Sequence, residues 1–413
     1  MTIWIIEPRD PLIVRDGRPF GPNPGARAQS LPFPFPSTIT GGVRTQAGLD
    51  QSGIFNTGQI ETVKKIGVRG PLLVQLESTG EVATWLIPAP ADALVFPLEK
   101  EKEGESENNP INETEPEKKP IQLRRLVPLQ PPTGSLTDLT ETLNVVGLTR
   151  SDQRKPFKDA PQFWYWGKFS DWLLDPGPPE KLPKPSEPEQ LLVKTLGHQG
   201  PRSERRMHVS INSETLTGEE GALFQTSGLE FTYKVKEKKQ FTVERLALAL
   251  DTTGILPGGV APLGGERRLM QWRQSDTPWP HLPDELKSII VKQAACRIIL
   301  LTPAYFTAGY HPAWLLAEQH GVTPELKAVA VQRPQVVSGW DFEKGGPKFT
   351  RRLAPAGSVY FLSLMGNKPD AIEQWVEAMW MQAVSDNDQD RWDGFGLAVP
   401  GAWSGKLVTM EVA

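Results

Sequence analysis

Four short segments of the chain are rich in glycine, and three of them also carry arginine. They are 15–20 (RDGRPF), 258–268 (GGVAPLGGERR), 345–352 (GGPKFTRR) and 393–396 (DGFG). Glycine lets a backbone approach a ligand closely, and the planar guanidinium of arginine matches the geometry of phosphate oxygens. The combination favours binding to a phosphate backbone, as in RNA.

The first segment allows two interpretations. Gly17 permits a tight turn that leaves Arg15 and Arg18 free to bind phosphates. Alternatively, the segment is a plain turn in which Arg15 forms a local ion pair with Asp16.

The second segment could form a backbone cradle, because successive N–H groups of a glycine loop can meet phosphates. Its candidate residues are Gly264, Gly265, Arg267 and Arg268. The alternative is a flexible lid without a ligand.

The remaining candidates lie in three places. The third segment has three cations in five residues, Lys348, Arg351 and Arg352, and Phe349 between them is a candidate platform for base stacking. The other candidate residues are Gly394 and Gly396 of the fourth segment and Arg44 of TGGVRT. Arg44 could instead pair with an acidic side chain.

Signatures of catalysis are absent from the sequence. There is no G-x-x-x-x-G-K-[ST] P-loop and no G-x-S-x-G nucleophile elbow. The five histidines have no H-x-x-x-H spacing. His208 follows Arg202, Arg205 and Arg206, so it is a candidate general base for RNA cleavage, but the pattern favours the alternative of a solvated basic loop. We therefore expect no catalytic residue, metal or cofactor.

Composition describes a globular chain with many loops. Of 413 residues, 38% are hydrophobic, while 40 are proline and 37 are glycine. The single cysteine, Cys296, excludes an internal disulfide and begins an apolar run, so we expect a buried, unreactive thiol. No apolar stretch is long enough to cross a bilayer, and the first residues do not form a signal peptide. These features predict a cytoplasmic protein without membrane contacts.

Two polar segments interrupt the chain. Segment 99–120 has eight glutamates and four lysines, which equals the whole net charge of −4 and leaves the rest of the chain near neutral. It has too few apolar residues to order itself, so we expect a disordered acidic insertion. Segment 175–188 contains six prolines and predicts an extended connector.

The other segments alternate between strand and helix patterns. Strands are predicted at 2–6, 72–76, 83–87, 229–236, 241–250, 296–301, 326–331 and 358–364. Helices are predicted at 37–47, with Ser37 as N-cap, at 284–295 and at 370–384. The last helix would bury one face. Pairs of strands separated by single helices indicate an α+β fold of ferredoxin-like, βαββαβ type.

Six blocks of the sequence resemble the CRISPR-associated RAMP superfamily, and within it the third subunit of the type III-B Cmr effector complex. They are IIEPRDPLIVRDGRPFG (5–21), SLPFPFPSTITGGVRT (30–45), HVSINSETLTGEEGALFQTSGLEF (208–231), GGVAPLGGERRL (258–269), VSGWDFEKGGPKFTRRLAPAGSVYFL (337–362) and GFGLAVPGAW (394–403). Their number and order span nearly the whole chain. The acidic segment 99–120 matches no family motif.

The resemblance implies two ferredoxin-like domains, which we place at 1–228 and 229–413. It also implies a subunit that holds the 5′ tag of the crRNA, and that docks against the large polymerase-like subunit and a RAMP backbone subunit. Cleavage of the target is not expected from this subunit. Two alternatives stay open: a metal-independent endoribonuclease that matures crRNA with His208 as general base, and an assembly subunit that never touches RNA.

Overall fold

The computed structural model describes residues 2–15, 30–98, 119–140, 143–150, 152–177, 191–237, 240–341, 345–366 and 368–410. The helices are α1 (Pro36–Ala47), α2 (Ile60–Lys64), α3 (Trp166–Leu174), α4 (Val193–Leu196), α5 (Asp284–Gln293), α6 (Ala313–Leu316), α7 (Pro369–Met379) and α8 (Asp388–Trp392). The strands are β1 (Thr2–Pro8), β2 (Val68–Leu76), β3 (Val82–Pro88), β4 (Ala93–Pro97), β5 (Ile121–Arg125), β6 (Val127–Gln130), β7 (Val145–Gly147), β8 (Phe163–Tyr165), β9 (Gly197–His198), β10 (Arg202–Ile211), β11 (Gly218–Glu230), β12 (Thr232–Glu237), β13 (Gln240–Thr252), β14 (Gly259–Pro262), β15 (Leu269–Ser275), β16 (Ala295–Leu300), β17 (Val322–Ala330), β18 (Gln335–Val337), β19 (Trp340–Asp341), β20 (Gly346–Pro347), β21 (Arg351–Leu353), β22 (Val359–Gly366), β23 (Gln382–Ala383), β24 (Leu397–Ala402) and β25 (Val408–Thr409).

The larger sheet has nine antiparallel strands. Its order is β14-β15-β1-β13-β2-β3-β8-β9, and β12 pairs with β13 outside this path. Because side chains alternate along a strand, the sheet has two apolar faces. Ile6 and Leu73 lie on the face covered by α1, in one core cluster with Ile39. Ile5 and Leu72 lie on the opposite face, in a second cluster.

The smaller sheet has five antiparallel strands in the order β17-β22-β16-β24-β23. Its central strand β16 is buried along its whole length. Helix α5 contacts β16 and β24, and α7 contacts β22 and β24. Helix α3 contacts β3 and β8 of the larger sheet as well as β24 of the smaller one. One continuous core therefore joins the two sheets through α3.

The α+β class predicted from the sequence is confirmed, with sheets that are mostly antiparallel. Most predicted elements exist, but their ends differ. Ser37 is not the N-cap of α1, since Phe35 has that position and Pro36 begins the helix. The helix predicted at 370–384 ends at Met379, and a short strand follows it. Its predicted apolar face, with Trp375, is buried.

The expected domain boundary does not separate the two sheets. Strands β13 to β15 come after residue 228, yet Ile5 of β1 lies opposite Ala249 and Arg273. Pairing in a sheet is set by hydrogen bonds and not by distance along the chain, so 1–228 does not include all strands of the larger sheet. The chain passes from the larger to the smaller sheet at 276–283.

Three other predictions concern Cys296, the two polar segments and membrane-spanning helices. Cys296 is fully buried, as expected, and burial raises the pKa of its thiol. Most of the predicted insertion 99–120 and connector 175–188 lies outside the described residues. No described helix is long and apolar enough to span a membrane.

Candidate nucleic-acid interface

A groove of about 560 Å³ lies between the two sheets. The larger sheet and the segment before α1 contribute one wall, with Leu31 and the half-buried Phe33, whose ring centroid lies 5.3 Å from that of Phe163. The other wall comes from the smaller sheet and from the β18–β21 hairpin, including Gln335 and Thr350. We call this space the interdomain groove, a name that refers only to its position between the two sheets. Its aromatic walls suit a flat, apolar ligand surface.

The interdomain groove holds one buried acceptor without a partner. The side-chain oxygen of Gln335 is buried and has no hydrogen-bond partner among the described residues. A buried polar atom that is left unpaired costs about 1–3 kcal/mol, so a ligand N–H at this position would be favoured. Sequence reasoning missed Gln335, because a glutamine in a short strand has no distinguishing pattern.

A loop pair built from 9–15 and 258–268 lies next to one wall of the groove, because the backbone N–H of Leu31 in that wall donates to the Val14 carbonyl at 2.8 Å. The backbone N–H of Gly265 donates to the Ile13 carbonyl at 2.7 Å. Gly264 has a φ of 74°, and a Cβ there would lie 2.5 Å from the same carbonyl oxygen. The glycine loop therefore packs closely against this chain's own backbone, and glycine is needed for that contact.

The cations of this loop pair differ in their partners. Arg15 pairs with Glu266 at 3.2 Å, and Arg268 pairs with the same carboxylate at 2.7 Å. Arg267 is exposed and forms no side-chain hydrogen bond or ion pair within the part of the chain that the structure describes. Arg18 and Asp16, and with them the local ion pair considered for Arg15, lie outside the described residues.

The opposite side of the groove has the β18–β21 hairpin and the residues that lead into β21. Arg352 lies opposite Val336 in this hairpin, is exposed and has no described partner. Lys348 is also exposed and unpaired among the described residues. The Phe349 ring is 94% exposed. Two exposed cations without a partner among the described residues, and an exposed aromatic ring, therefore lie within five residues of sequence.

Arg351 has a different environment from its neighbours. Its guanidinium pairs with the buried Asp390 and lies 5.0 Å from the ring centroid of Tyr305 and 5.5 Å from that of Phe395. A guanidinium held by a buried carboxylate and two rings is already engaged, so Arg351 supports the fold in this state.

Arg44 and the 393–396 loop also hold the fold together. Arg44 pairs with Asp393 at 2.7 Å and donates to the Ile66 carbonyl at 3.1 Å. Gly394 has a φ of 88°, and a Cβ there would lie 2.7 Å from the Gly70 carbonyl oxygen. A Cβ at Gly396 would lie 2.8 Å from the Ser385 backbone nitrogen. The acidic alternative considered for Arg44 is the one observed.

His208 lies on β10, in a two-stranded sheet with β11. Its Nε2 is 2.8 Å from the Thr226 hydroxyl, and its ring stacks on Phe224 with a centroid distance of 5.1 Å. Arg206 pairs with Glu204 at 3.0 Å. In the described ranges, no group of three histidine, cysteine or acidic side chains is arranged to hold a metal ion.

Comparisons with solved structures give distant likenesses. The chain aligns with a subunit in "Cryo-EM structure of the Type III-B Cmr-beta bound to cognate target RNA and AMPPnP, state 1" at 14% identity and a TM-score of 0.42, covering 87% of this chain and 86% of that one. A subunit in "Cryo-EM structure of the Type III-B Cmr-beta bound to cognate target RNA" gives 15% identity, a TM-score of 0.43 and the same coverage. A chain of the Csm3-Csm4 subcomplex of type III-A gives 9% identity and a TM-score of 0.32, over 89% of this chain and 94% of that one.

No curated protein matches the sequence. A family model does match, and it covers residues 4–403, which include both sheets and every candidate residue of the groove. A match of this length shows the family: the chain belongs to the family described as CRISPR-associated protein (Cas_Cmr3).

Proposed function

We propose that this chain is a crRNA-binding subunit of a type III CRISPR effector complex, and that it holds the 5′ tag of the crRNA along the interdomain groove. The single observation that carries the proposal is the set of unpaired cations at the groove. Arg267 lies in the glycine loop that packs against 9–15, next to the Leu31 wall, and Lys348, Arg352 and the exposed Phe349 belong to the segment of the β18–β21 hairpin in the other wall. Unpaired cations bind phosphates without first breaking an ion pair, and Phe349 can stack on an unpaired base.

The groove itself suits one unstacked base of a single strand. RNA-binding proteins recognise such bases by stacking and by hydrogen bonds to base edges. Phe33 and Phe163 provide aromatic surface, and the Gln335 oxygen provides an acceptor. A base amino group is a donor of the required kind.

The proposal extends to architecture and partners. Along the chain, β1, β2, β13 and β15 are the first to fourth of these strands in the larger sheet, and they lie side by side in the order β15-β1-β13-β2, or 4-1-3-2. The strands β24-β16-β22-β17 of the smaller sheet have the same 4-1-3-2 order. This order supports two ferredoxin-like domains. We place the large polymerase-like subunit and a RAMP backbone subunit as the chain's protein partners, on the basis of family membership.

The chain acts in this proposal without catalysing a reaction. His208 is hydrogen-bonded to Thr226 and stacked on Phe224, an arrangement that a structural histidine also has. Incubation of the purified protein with repeat RNA in EDTA tests this directly. Defined cleavage that disappears in His208→Ala would establish the endoribonuclease instead.

The RNA proposal is tested by fluorescence anisotropy of a labelled tag RNA over a range of salt concentrations. We expect affinity to fall steeply with salt, and Arg267→Ala or Lys348→Ala each to lower the slope of log K against log salt by about 0.7, the value for one phosphate contact on a single strand. Arg15→Ala is the matched control, because Arg15 is already paired with Glu266. The absence of measurable tag RNA binding at low salt would favour an assembly subunit that does not touch RNA.

A further inference from the structure

A second groove, of about 920 Å³, lies away from the interdomain groove where 276–283 passes from the larger to the smaller sheet. Its aromatic wall consists of Trp85 from β3, Trp166 from α3 and Trp279 from the connecting segment. The rings of Trp85 and Trp279 stack with centroids 4.8 Å apart. We call it the tryptophan groove. It shares no lining residue with the interdomain groove.

The aromatic wall is held rigidly in place. Prolines on both sides of Trp279, Pro278 and Pro280, restrict the connecting segment. The Trp380 indole donates to the Pro280 carbonyl at 2.9 Å, and its ring lies edge-on to Trp166 at 6.1 Å. A rigid aromatic surface loses little entropy when a ligand binds to it.

The tryptophan groove also has charged residues, and acidic side chains outnumber basic ones among them. Its floor has Asp284 and Lys287 from α5 and Glu377 from α7. Lys287 bonds to Glu377 at 2.7 Å and to Glu373 at 3.1 Å, and these two hydrogen bonds raise its pKa. One lysine thus faces two carboxylates, and Asp284 adds a third. The local balance is negative, which disfavours a phosphate and favours a cation.

Indole faces beside carboxylates are the surroundings that a guanidinium prefers. A guanidinium stacks on an aromatic face and donates to carboxylate oxygens in the same plane. One guanidinium of this chain already lies near the Trp279 ring, because Arg69 is 6.0 Å from its centroid, although Arg69 pairs with Asp251 and not with a carboxylate of the groove.

We propose that the tryptophan groove receives an arginine side chain from a protein subunit of the complex. This inference rests on the proposed function only in assuming that the chain is part of a multi-subunit assembly. The arginine lies against the half-buried rings of Trp166 and Trp279, and its guanidinium points toward Asp284 and Glu377.

The recognition step is tested on the full chain labelled with 5-fluorotryptophan, with Trp279→Phe to assign the relevant 19F resonance. The probe is N-acetylargininamide, and N-acetylcitrullinamide is its neutral control of the same shape. We expect a saturable shift of the Trp279 resonance with the arginine compound only, weakened about threefold or more in the double variant Asp284→Asn, Glu377→Gln. Equal shifts from both compounds, or no shift, would overturn the proposal. A preferential shift with AMP would assign the groove to a nucleotide instead.

The partner step is tested in the assembled complex by native mass spectrometry. Glu377→Arg reverses a charge in the groove, and Glu318→Arg does the same at an exposed position outside it. We expect the first variant alone to lose a protein subunit while it keeps the guide RNA. An unchanged composition would show that no partner uses this groove. Tag RNA affinity is measured separately on the unmodified chain and on these variants. If the unmodified chain does not bind the RNA, that result contradicts the proposed function alone, and the subunit composition still tests this inference.

Discussion

Neighbouring arginines in this chain have opposite roles, and Arg351 and Arg352 show it most clearly. Arg351 is engaged by Asp390, whereas Arg352 has no described partner. We expect Arg351→Ala to lower the free energy of unfolding by about 2–3 kcal/mol, because it leaves a buried carboxylate without its cation. Arg352→Ala should change it by less than about 0.5 kcal/mol. Urea denaturation measures both.

The same pair should respond in the reverse order to RNA. Arg352→Ala is expected to weaken tag RNA binding and to lower its salt dependence, since it removes a cation that is free to meet a phosphate. Arg351→Ala, assayed without urea at a temperature where it stays folded, should bind nearly as well as the unmodified chain. Equal losses of affinity in the two variants would contradict this division of roles.

His198 makes stability depend on pH. The Gly200 N–H donates to its Nδ1 at 2.8 Å, so this nitrogen carries no proton, and Nε2 is bonded to the Tyr233 hydroxyl at 2.9 Å. Burial, with a smaller contribution from the charge of Arg202, lowers the His198 pKa to about 4. The unfolded chain therefore takes up the proton first as pH falls.

Neutral His198 therefore stabilises the folded chain at neutral pH. The contribution of His198 is complete above the unfolded pKa of about 6.5 and is lost as pH falls toward 4. We expect about 2 kcal/mol of stability to be lost between pH 7.5 and pH 5 from this residue. Urea denaturation at the two pH values measures it, and His198→Gln should remove that part of the difference. If His198→Gln has the same pH dependence as the unmodified chain, another group is responsible.

At the scale of elements, the 393–396 loop joins parts of both sheets. The Asp393 carbonyl accepts from the Thr40 hydroxyl at 2.8 Å, and the Gly394 carbonyl accepts from the Thr302 hydroxyl at 2.7 Å. Gly394→Ala places a Cβ against the Gly70 carbonyl in addition to straining the backbone. We expect a loss of more than about 2 kcal/mol.

Gly309→Ala is the matched control for this prediction. Gly309 has a φ of 75°, but a Cβ there meets nothing within 4 Å. Gly309→Ala therefore measures only the free-energy cost of a side chain on a left-handed backbone, about 1–2 kcal/mol. Equal losses in the two alanine variants would mean that the close approach at Gly394 relaxes without cost.

Elements with a regular apolar pattern could be predicted from the sequence. Trp375 and Ile372 recur at helical spacing and are buried in α7, and β1 begins where its apolar run begins. The long β10–β11 hairpin was not predicted, because its apolar side chains, such as Met207 and Leu223, are exposed and have no core to mark them. Apolar periodicity marks a strand or helix only when one of its faces is buried, so it does not reveal elements that project from the core.

The candidate site was predictable in composition but not in detail. The sequence indicates which residues are cations, yet the partner of Arg44 is Asp393, at the far end of the chain. Such a pairing depends on the tertiary fold, so no local pattern distinguishes Arg44 from the unpaired Arg267. The groove between the sheets has the same origin, since its two walls come from distant segments such as Leu31 and Thr350.

At the scale of the whole molecule, a buried ion pair joins the two sheets. Asp92, between β3 and β4, is fully buried, and it bonds to Arg297 of β16 at 3.0 Å and accepts from the Trp172 indole of α3 at 3.0 Å. Burial raises the pKa of Asp92, while Arg125 and the Trp172 hydrogen bond oppose the shift. The pair therefore stabilises the fold only while both partners are present.

We expect Asp92→Asn and Arg297→Met each to lower the free energy of unfolding by about 3–5 kcal/mol, because each leaves one buried charge without its closest partner, and Arg125, 4.0 Å from Asp92, replaces Arg297 only in part. The double variant should lose clearly less than the sum of the two. It removes both charges, and the side-chain amide oxygen introduced by Asp92→Asn can still accept from the Trp172 indole, which is 3.0 Å from the native carboxylate. Chemical denaturation of the four proteins forms a double-mutant cycle. Losses that add to within about 0.5 kcal/mol would show that the two residues act independently and that this ion pair does not couple the two sheets.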